Sequence, residues 1–129
     1  MAHLKVEYAT GPRTGFDAAA LCEALHGAMV AAGIFPLAGI RVRAYRAEHA
    51  LVADAHPDNG FVAMTLSVGA GRSTEALRAA GDGIFAAARQ ALADPLASEH
   101  FALSLEIRVI DPELSWKDTP IHARLSRWE

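Results

Sequence analysis

The strongest constraint on the fold is that the chain consists of two successive halves with the same order of elements. In each half, a segment that alternates apolar and polar residues precedes an amphipathic helix and then a second alternating segment, which predicts strand, helix, strand. The predicted strands are 3–8, 40–47, 61–68 and 101–109, and the predicted helices are 14–33 and 73–94. We expect a single domain over residues 1–129, with halves at about 1–58 and 59–129.

Local signals mark the ends of both helices. Thr14-Gly15-Phe16-Asp17 has the shape of a capping box, in which a threonine oxygen accepts from free amides at the helix start. Ser73 is the expected cap of the second helix, and Asp94-Pro95 is its expected end. The apolar stripes that should face the core are Leu21, Leu25, Ala28 and Ala32, ending at Gly33, and then Leu77, Ile84, Ala88 and Leu92.

The element order restricts the topology. A helical crossover forces the two strands of each half to be parallel, and the right-handed rule places both helices on one face of the sheet. The opposite face is then uncovered, and we expect it to carry apolar side chains that a second subunit would hide. Alanine accounts for 28 of the 129 residues, so the core is thin and oligomerisation would help. A ferredoxin-like arrangement has the same element order and stays open at this point.

Composition and charge exclude several classes of protein. Twelve basic and fifteen acidic residues give a net charge of -3 without a long basic run, which argues against a nucleic-acid partner. Neither a secretory signal nor an apolar run of ~20 residues is present, so we expect a cytoplasmic protein with no membrane partner. The single cysteine, Cys22, excludes an internal disulfide and is expected in the core.

Histidines offer little evidence for a metal site. None of the six forms a pair at metal-ligand spacing on one predicted element, so no metal is expected. His49, Asp54, His56 and Asp58 fall in one polar loop, where they could gather, but a solvated loop is the favoured interpretation.

Two arginine-bearing segments are candidate anion sites. Gly69-Ala70-Gly71-Arg72-Ser73 joins a strand to a helix, where small residues permit close approach and free amides attract anions. Arg72 suits a carboxylate, although a tight turn with a solvated arginine is the alternative. The segment lacks the third glycine of a dinucleotide motif and the lysine of a P-loop. Arg41, Arg43 and Arg46 lie near the start of the second strand, where a solvated or ion-paired face is the competing interpretation.

Longer blocks of sequence resemble a known family. They are Gly33-Ile34-Phe35-Pro36-Leu37-Ala38-Gly39-Ile40-Arg41, the segment at residues 61–66, Gly69-Ala70-Gly71-Arg72-Ser73 and the strand at residues 103–107. Together they closely resemble the 5-carboxymethyl-2-hydroxymuconate delta-isomerases of the tautomerase superfamily. The resemblance extends over the chain except for residues 125–129.

The resemblance implies an α+β, tautomerase-like fold with a four-stranded mixed sheet and two helices on one face. It also implies a homotrimer whose helix-free faces turn toward the three-fold axis. The implied reaction moves a proton on a 2-hydroxymuconate-type carboxylated dienol to give the 2-oxo isomer, in 4-hydroxyphenylacetate (homoprotocatechuate) catabolism, without a cofactor or metal. The arginines that hold the substrate carboxylates fall on Arg41 and Arg72, with Arg43 and Arg46 as alternatives.

The family's base is an amino-terminal proline, exposed when the initiator methionine is removed, and this chain has Ala2 there. Nearby guanidinium groups and burial lower the pKa of an amine, which favours the unprotonated form that a base needs. Ala2 would supply a primary amine after loss of Met1. Two hypotheses follow: an isomerase of low activity that uses the Ala2 amine, or an inactive trimer that binds small carboxylates.

Overall fold

Four strands form one mixed sheet in the computed structural model, which describes residues 1–126. The strands are β1 (Ala2–Ala9), β2 (Ile40–Arg46), β3 (Gly60–Gly69) and β4 (Phe101–Ile110), in the order β2-β1-β3-β4. β1 is parallel to β2, β3 is parallel to β4, and β1 is antiparallel to β3. Both predicted strand-helix-strand units are formed. The ferredoxin-like alternative is excluded, because there the two strands of each unit are separated by another strand.

The two long helices pack against each other on one face of the sheet. They are α1 (Ala18–Ala32) and α2 (Thr74–Ala91), and two shorter helices follow, α3 (Ala93–Leu96) and α4 (Pro120–Ser126). Gly33 ends α1 in the left-handed conformation at φ 73°, which glycine adopts without steric cost. Among residues 1–126, no helix combines the length and the apolar character needed to cross a membrane.

The core lies between the helices and the sheet face that they cover. Alternate residues of β1 and β3 are buried there, and they pack against the buried stripe of each helix. Ala28, Ala32 and Leu77 are only half-buried, whereas Met29 is completely buried and completes the α1 stripe. The main buried residues are Leu4, Val6, Leu21, Leu25, Met29, Val62, Met64, Leu66, Ile84, Ala88 and Leu92.

The predicted start of α1 is wrong by one turn. The cap is Asp17, whose Oδ1 accepts the Ala20 N–H at 3.1 Å. Thr14 is completely buried, and its Oγ1 accepts the Gly11 N–H at 2.7 Å. The hydroxyl of Thr14 therefore stabilises the turn before the helix. Ser73 caps α2 as predicted, with its Oγ accepting the Ala76 N–H at 3.1 Å.

The predictions for Cys22 and for the end of α2 also need correction. Cys22 is half-buried and does not belong to the core, because it lies one position away from the buried stripe that contains Leu21 and Leu25. Burial raises the pKa of its thiol. α2 ends at Ala91, and Asp94-Pro95 lies inside the short helix α3 that follows.

The helix-free face of the sheet is mostly polar but includes Tyr45 and Phe61, so the prediction that this face carries apolar side chains holds only in part. Lys5 pairs with Glu7 at 3.2 Å, and Glu106 pairs with Arg108 at 2.8 Å, each within one strand. Strict alternation sends most of the large apolar residues of β1 and β3 to the helix-covered side, whereas Phe61 of β3 lies on the other side. Most of their neighbours on the other side are polar, so burial of this face would hide few large apolar side chains.

We expect Asp17→Ala to lower the free energy of unfolding by about 1 kcal/mol, because the Ala20 N–H loses its acceptor. Asp17→Asn keeps an oxygen in the same place and should retain most of the stability. Urea denaturation of the three proteins measures the difference. Equal losses of unfolding free energy in both variants would show that the asparagine oxygen does not replace the aspartate oxygen as the acceptor.

Candidate active site

The amino terminus lies where two turns of the chain meet. Ala2, the first residue of β1, pairs with Ile40 at the start of β2 and with Val68 near the end of β3. The turn that precedes Ile40 and the turn that follows Val68 therefore both lie beside Met1. The Gly69 N–H contacts the Met1 carbonyl oxygen at 3.4 Å.

Gly39 allows the terminus to approach the first of these turns. A Cβ atom built on Gly39 would lie 3.2 Å from both the Cα and the N of Met1 and 3.7 Å from the Ala2 N. Any larger residue would press on the terminal backbone. While Met1 is present, the block at residues 33–41 thus has a direct structural reason for a glycine at this position.

A cavity of about 450 Å³ opens at the amino terminus. Its size is within the range of small-molecule sites. One side consists of Met1, His3, Arg41 and the turn before β2, and the other side is formed by the carboxy-terminal segment, defined here as residues 111–126. A smaller cavity of about 160 Å³ also borders Met1 and Lys117. The residues of the carboxy-terminal segment that line the larger cavity are Trp116, Lys117, Asp118, Thr119 and His122.

The surroundings of the terminus favour an uncharged amine. Burial lowers the pKa of the Met1 amine, and the positive charges of Lys117 and Arg72 lower it further. Burial likewise lowers the pKa of His3, with contributions from Arg41 and Arg43. An amine of lowered pKa is unprotonated over a wider pH range, as proton abstraction requires.

Arg72 connects the two turns that meet at the terminus. Its Nε donates to the Ile34 carbonyl oxygen at 3.0 Å, and its Nη1 donates to the Gly69 carbonyl oxygen at 3.3 Å. The guanidinium lies 5.2 Å from the ring centroid of Phe35, within cation–π range. Arg72 is therefore held in place by the two turns, while its role toward an anion stays a prediction.

The other predicted arginines are distributed along β2. Arg41 lines the larger cavity, and Arg43, two residues further along, lies opposite Lys5. Arg46 lies opposite Tyr8 at the far end of the strand. Neither Arg41 nor Arg43 forms an ion pair within residues 1–126. Arg41 and Arg72 therefore lie near the terminus, although Arg72 lines neither of the two cavities, and Arg46 lies away from it.

Comparison with known proteins shows the family of the chain. The model of the 5-carboxymethyl-2-hydroxymuconate isomerase family matches residues 2–125. The chain is 37% identical over 123 residues to the 5-carboxymethyl-2-hydroxymuconate Delta-isomerase of Escherichia coli, covering 95% of this chain and 98% of the relative. This chain belongs to the 5-carboxymethyl-2-hydroxymuconate isomerase family. It is therefore an isomerase, as its sequence predicts.

Solved structures support the family and its fold. A 5-carboxymethyl-2-hydroxymuconate isomerase from Deinococcus radiodurans superposes with a TM-score of 0.87 at 37% identity, over 96% of this chain and 93% of that one. A fused 4-OT wild-type symmetric trimer gives a TM-score of 0.66 at 18% identity, over 94% of this chain and 98% of that one, and shares the fold. The α+β, tautomerase-like fold expected for this family is thereby confirmed.

The polar loop forms a cluster at the opposite end of the sheet. Candidate ligand atoms of His56, Asp58 and His100 lie within 4.8 Å of one another, whereas His49 is not part of the group and Asp54 accepts from Asn59. His100 was not expected there, because it is distant in sequence. The His56 Nδ1 accepts the Asp58 N–H at 3.1 Å, which places the proton of a neutral ring on Nε2, and Asp58 pairs with Arg13 at 3.4 Å. These internal bonds occupy groups that a metal ion would need.

We expect Arg72→Ala to lower the free energy of unfolding by about 1.5–3 kcal/mol, since two hydrogen bonds from a charged group are lost. Arg41→Ala serves as the matched control, because Arg41 is exposed, and it should change stability by less than about 0.5 kcal/mol. Urea denaturation compares the two variants with the parent. Equal effects would contradict a bridging role for Arg72.

Proposed function

We propose that this isomerase acts on a 2-hydroxymuconate-type carboxylated dienol, with 5-carboxymethyl-2-hydroxymuconate, for which its relatives are named, as the substrate. The proton of the 2-hydroxyl group is lost, the C2–O bond becomes a carbonyl, and a proton is added to a carbon of the diene. No cofactor takes part, and the reaction belongs to 4-hydroxyphenylacetate (homoprotocatechuate) catabolism.

The observation that carries this proposal is an amino terminus placed in a cavity among cations. After removal of Met1, the amine of Ala2 would face the space that Met1 now borders and would serve as the proton carrier. Arg41 and Arg72 would hold carboxylates of the substrate, with Arg43 further along the strand. The same cations would stabilise the dienolate charge that develops during proton transfer.

Alanine changes the properties of this base relative to the family's proline. A proline nitrogen is a secondary amine in a ring that restricts φ, whereas alanine supplies a primary amine on a freer backbone. The orientation and basicity of the amine therefore both differ, and orientation is a large part of the barrier in proton transfer. We expect low isomerase activity from the chain as it stands.

Ala2→Pro should raise turnover of the dienol at least tenfold, equivalent to about 1.4 kcal/mol of barrier, once Met1 is removed. Intact-mass analysis first establishes removal of Met1, and the loss of the dienol absorbance then measures the rate. Ala2→Ser is the matched control, because it also has a small residue at this position but keeps a primary amine. Its rate should remain near that of the parent.

If Ala2→Pro loses Met1 but turns over the dienol no faster than Ala2→Ser, a catalytic role for this amine would be contradicted. If such a variant still bound the unreactive dicarboxylate adipate, the second hypothesis would apply, namely an inactive trimer that binds small carboxylates. Calorimetric titration with adipate tells the two results apart.

We infer that the functional assembly is a homotrimer. The support is the family resemblance and the fold shared with solved trimers such as the fused 4-OT protein. Several large apolar side chains of the described residues are more than half exposed, and one of them, Tyr45, lies on the helix-free face opposite Glu7. They are Tyr45, Leu51, Val109, Leu114, Trp116 and Ile121. Burial of these residues between subunits would contribute hydrophobic free energy to the assembly.

Light scattering at micromolar concentration should give a molar mass three times that of the chain. Leu51→Glu tests whether the exposed apolar residues form the contacts, since Leu51 is 90% exposed and a charge there should cost the isolated subunit little. We expect this variant to dissociate more readily on dilution. A parent protein that remains monomeric would contradict the trimer.

A further inference from the structure

Lys117 occupies a distinct position at the amino terminus. It lies in the carboxy-terminal segment and borders both cavities that contact Met1. It forms no ion pair within residues 1–126, although three other basic residues there do. Its side chain is exposed, so its ammonium group can reach a ligand without first leaving a partner.

Three cations from separate parts of the chain therefore lie near the terminus, and two of them, Arg41 and Lys117, line the larger cavity. Arg41 comes from β2, Arg72 from the turn before α2, and Lys117 from the carboxy-terminal segment. The charges of Lys117 and Arg72 both act on the Met1 amine. The acidic residue among the lining groups is Asp118, next to Lys117, and His3 and His122 complete the ionisable lining.

The proposed substrate carries three carboxylates. A muconate has one at each end of its six-carbon chain, and the carboxymethyl group adds the third. Two arginines suffice for a dicarboxylate, because a guanidinium binds a carboxylate through paired N–H groups. A lysine, by contrast, acts as a point charge with three rotatable donors and suits a carboxylate on a flexible arm.

We propose that Lys117 binds the carboxymethyl carboxylate and so determines the preference for a tricarboxylate over a dicarboxylate. This assignment rests on the proposed function, since it takes the substrate class from it. Lys117 contacts a part of the substrate that does not react, and its role is in substrate recognition. Removal of its charge should therefore raise KM and leave kcat nearly unchanged.

Binding to unreactive probes tests the assignment independently of catalysis. The probes are 2-(carboxymethyl)adipate, with three carboxylates, and adipate, which lacks only the carboxymethyl arm. The parent should bind the tricarboxylate at least tenfold more tightly, a difference of about 1.4 kcal/mol. Lys117→Met should abolish this preference and change the affinity for adipate by less than threefold. Lys117→Arg keeps the positive charge and should retain most of the preference for the tricarboxylate.

Lys5→Met is the matched control, because it removes the same charge from a residue that borders neither cavity. This variant should prefer the tricarboxylate over adipate to the same extent as the parent. With active enzyme, Lys117→Met should raise KM for 5-carboxymethyl-2-hydroxymuconate at least tenfold, with kcat within twofold, and should leave KM for 2-hydroxymuconate within threefold.

The outcomes separate the two proposals. The role of Lys117 would be overturned if Lys117→Met lost equal affinity for both probes, or lost affinity for neither. A parent protein that binds neither probe would also overturn it. If the parent prefers the tricarboxylate in a manner that depends on Lys117 but turns over no dienol, the role of Lys117 is supported and the proposed isomerisation fails.

Discussion

The central position of β1 determines where the site forms. β1 is hydrogen-bonded on both sides, parallel to β2 and antiparallel to β3. Because β2 runs in the same direction, the chain that enters it lies beside the start of β1, and because β3 runs in the opposite direction, the chain that leaves it lies there too. Two turns that are far apart in sequence therefore meet at the amino terminus. The site is a consequence of strand direction, before any side chain is considered.

Arg72 couples this geometry to its electrostatics. Its bonds to Ile34 and Gly69 join the two turns, and its charge contributes to the lowered pKa of the Met1 amine. A guanidinium that is fixed by backbone carbonyls loses little further freedom when it binds an anion, which is the benefit of a preorganised site. The same arrangement means that a substitution of Arg72 changes the local fold as well as the charge, so its effects on stability and on chemistry cannot be separated by that variant alone.

Much of the fold was predictable because two signals agree. Alternation identified the four strands, and the crossover rule gave the parallel pairing within each half. The cap was misplaced because Thr14 and Asp17 are both good caps, and only the buried contact of Thr14 with Gly11 decides between them. The prediction of an apolar helix-free face is wrong at most positions because alternation places most apolar residues of β1 and β3 on the helix side. If the apolar residues of a strand all face the helices, its other face is left with residues such as Lys5 and Glu7.

The site was predictable only where it rests on local motifs. Arg41 and Arg72 stand in blocks that the sequence singles out, but the carboxy-terminal segment has no periodicity that would place Lys117 beside Met1. That contact joins the two ends of the chain and depends on the completed sheet. It also has a chemical effect. Burial is the largest cause of the lowered pKa of the Met1 amine, and the positive charge of Lys117 lowers this pKa further. The contact between the two ends of the chain therefore favours the unprotonated form of the amine.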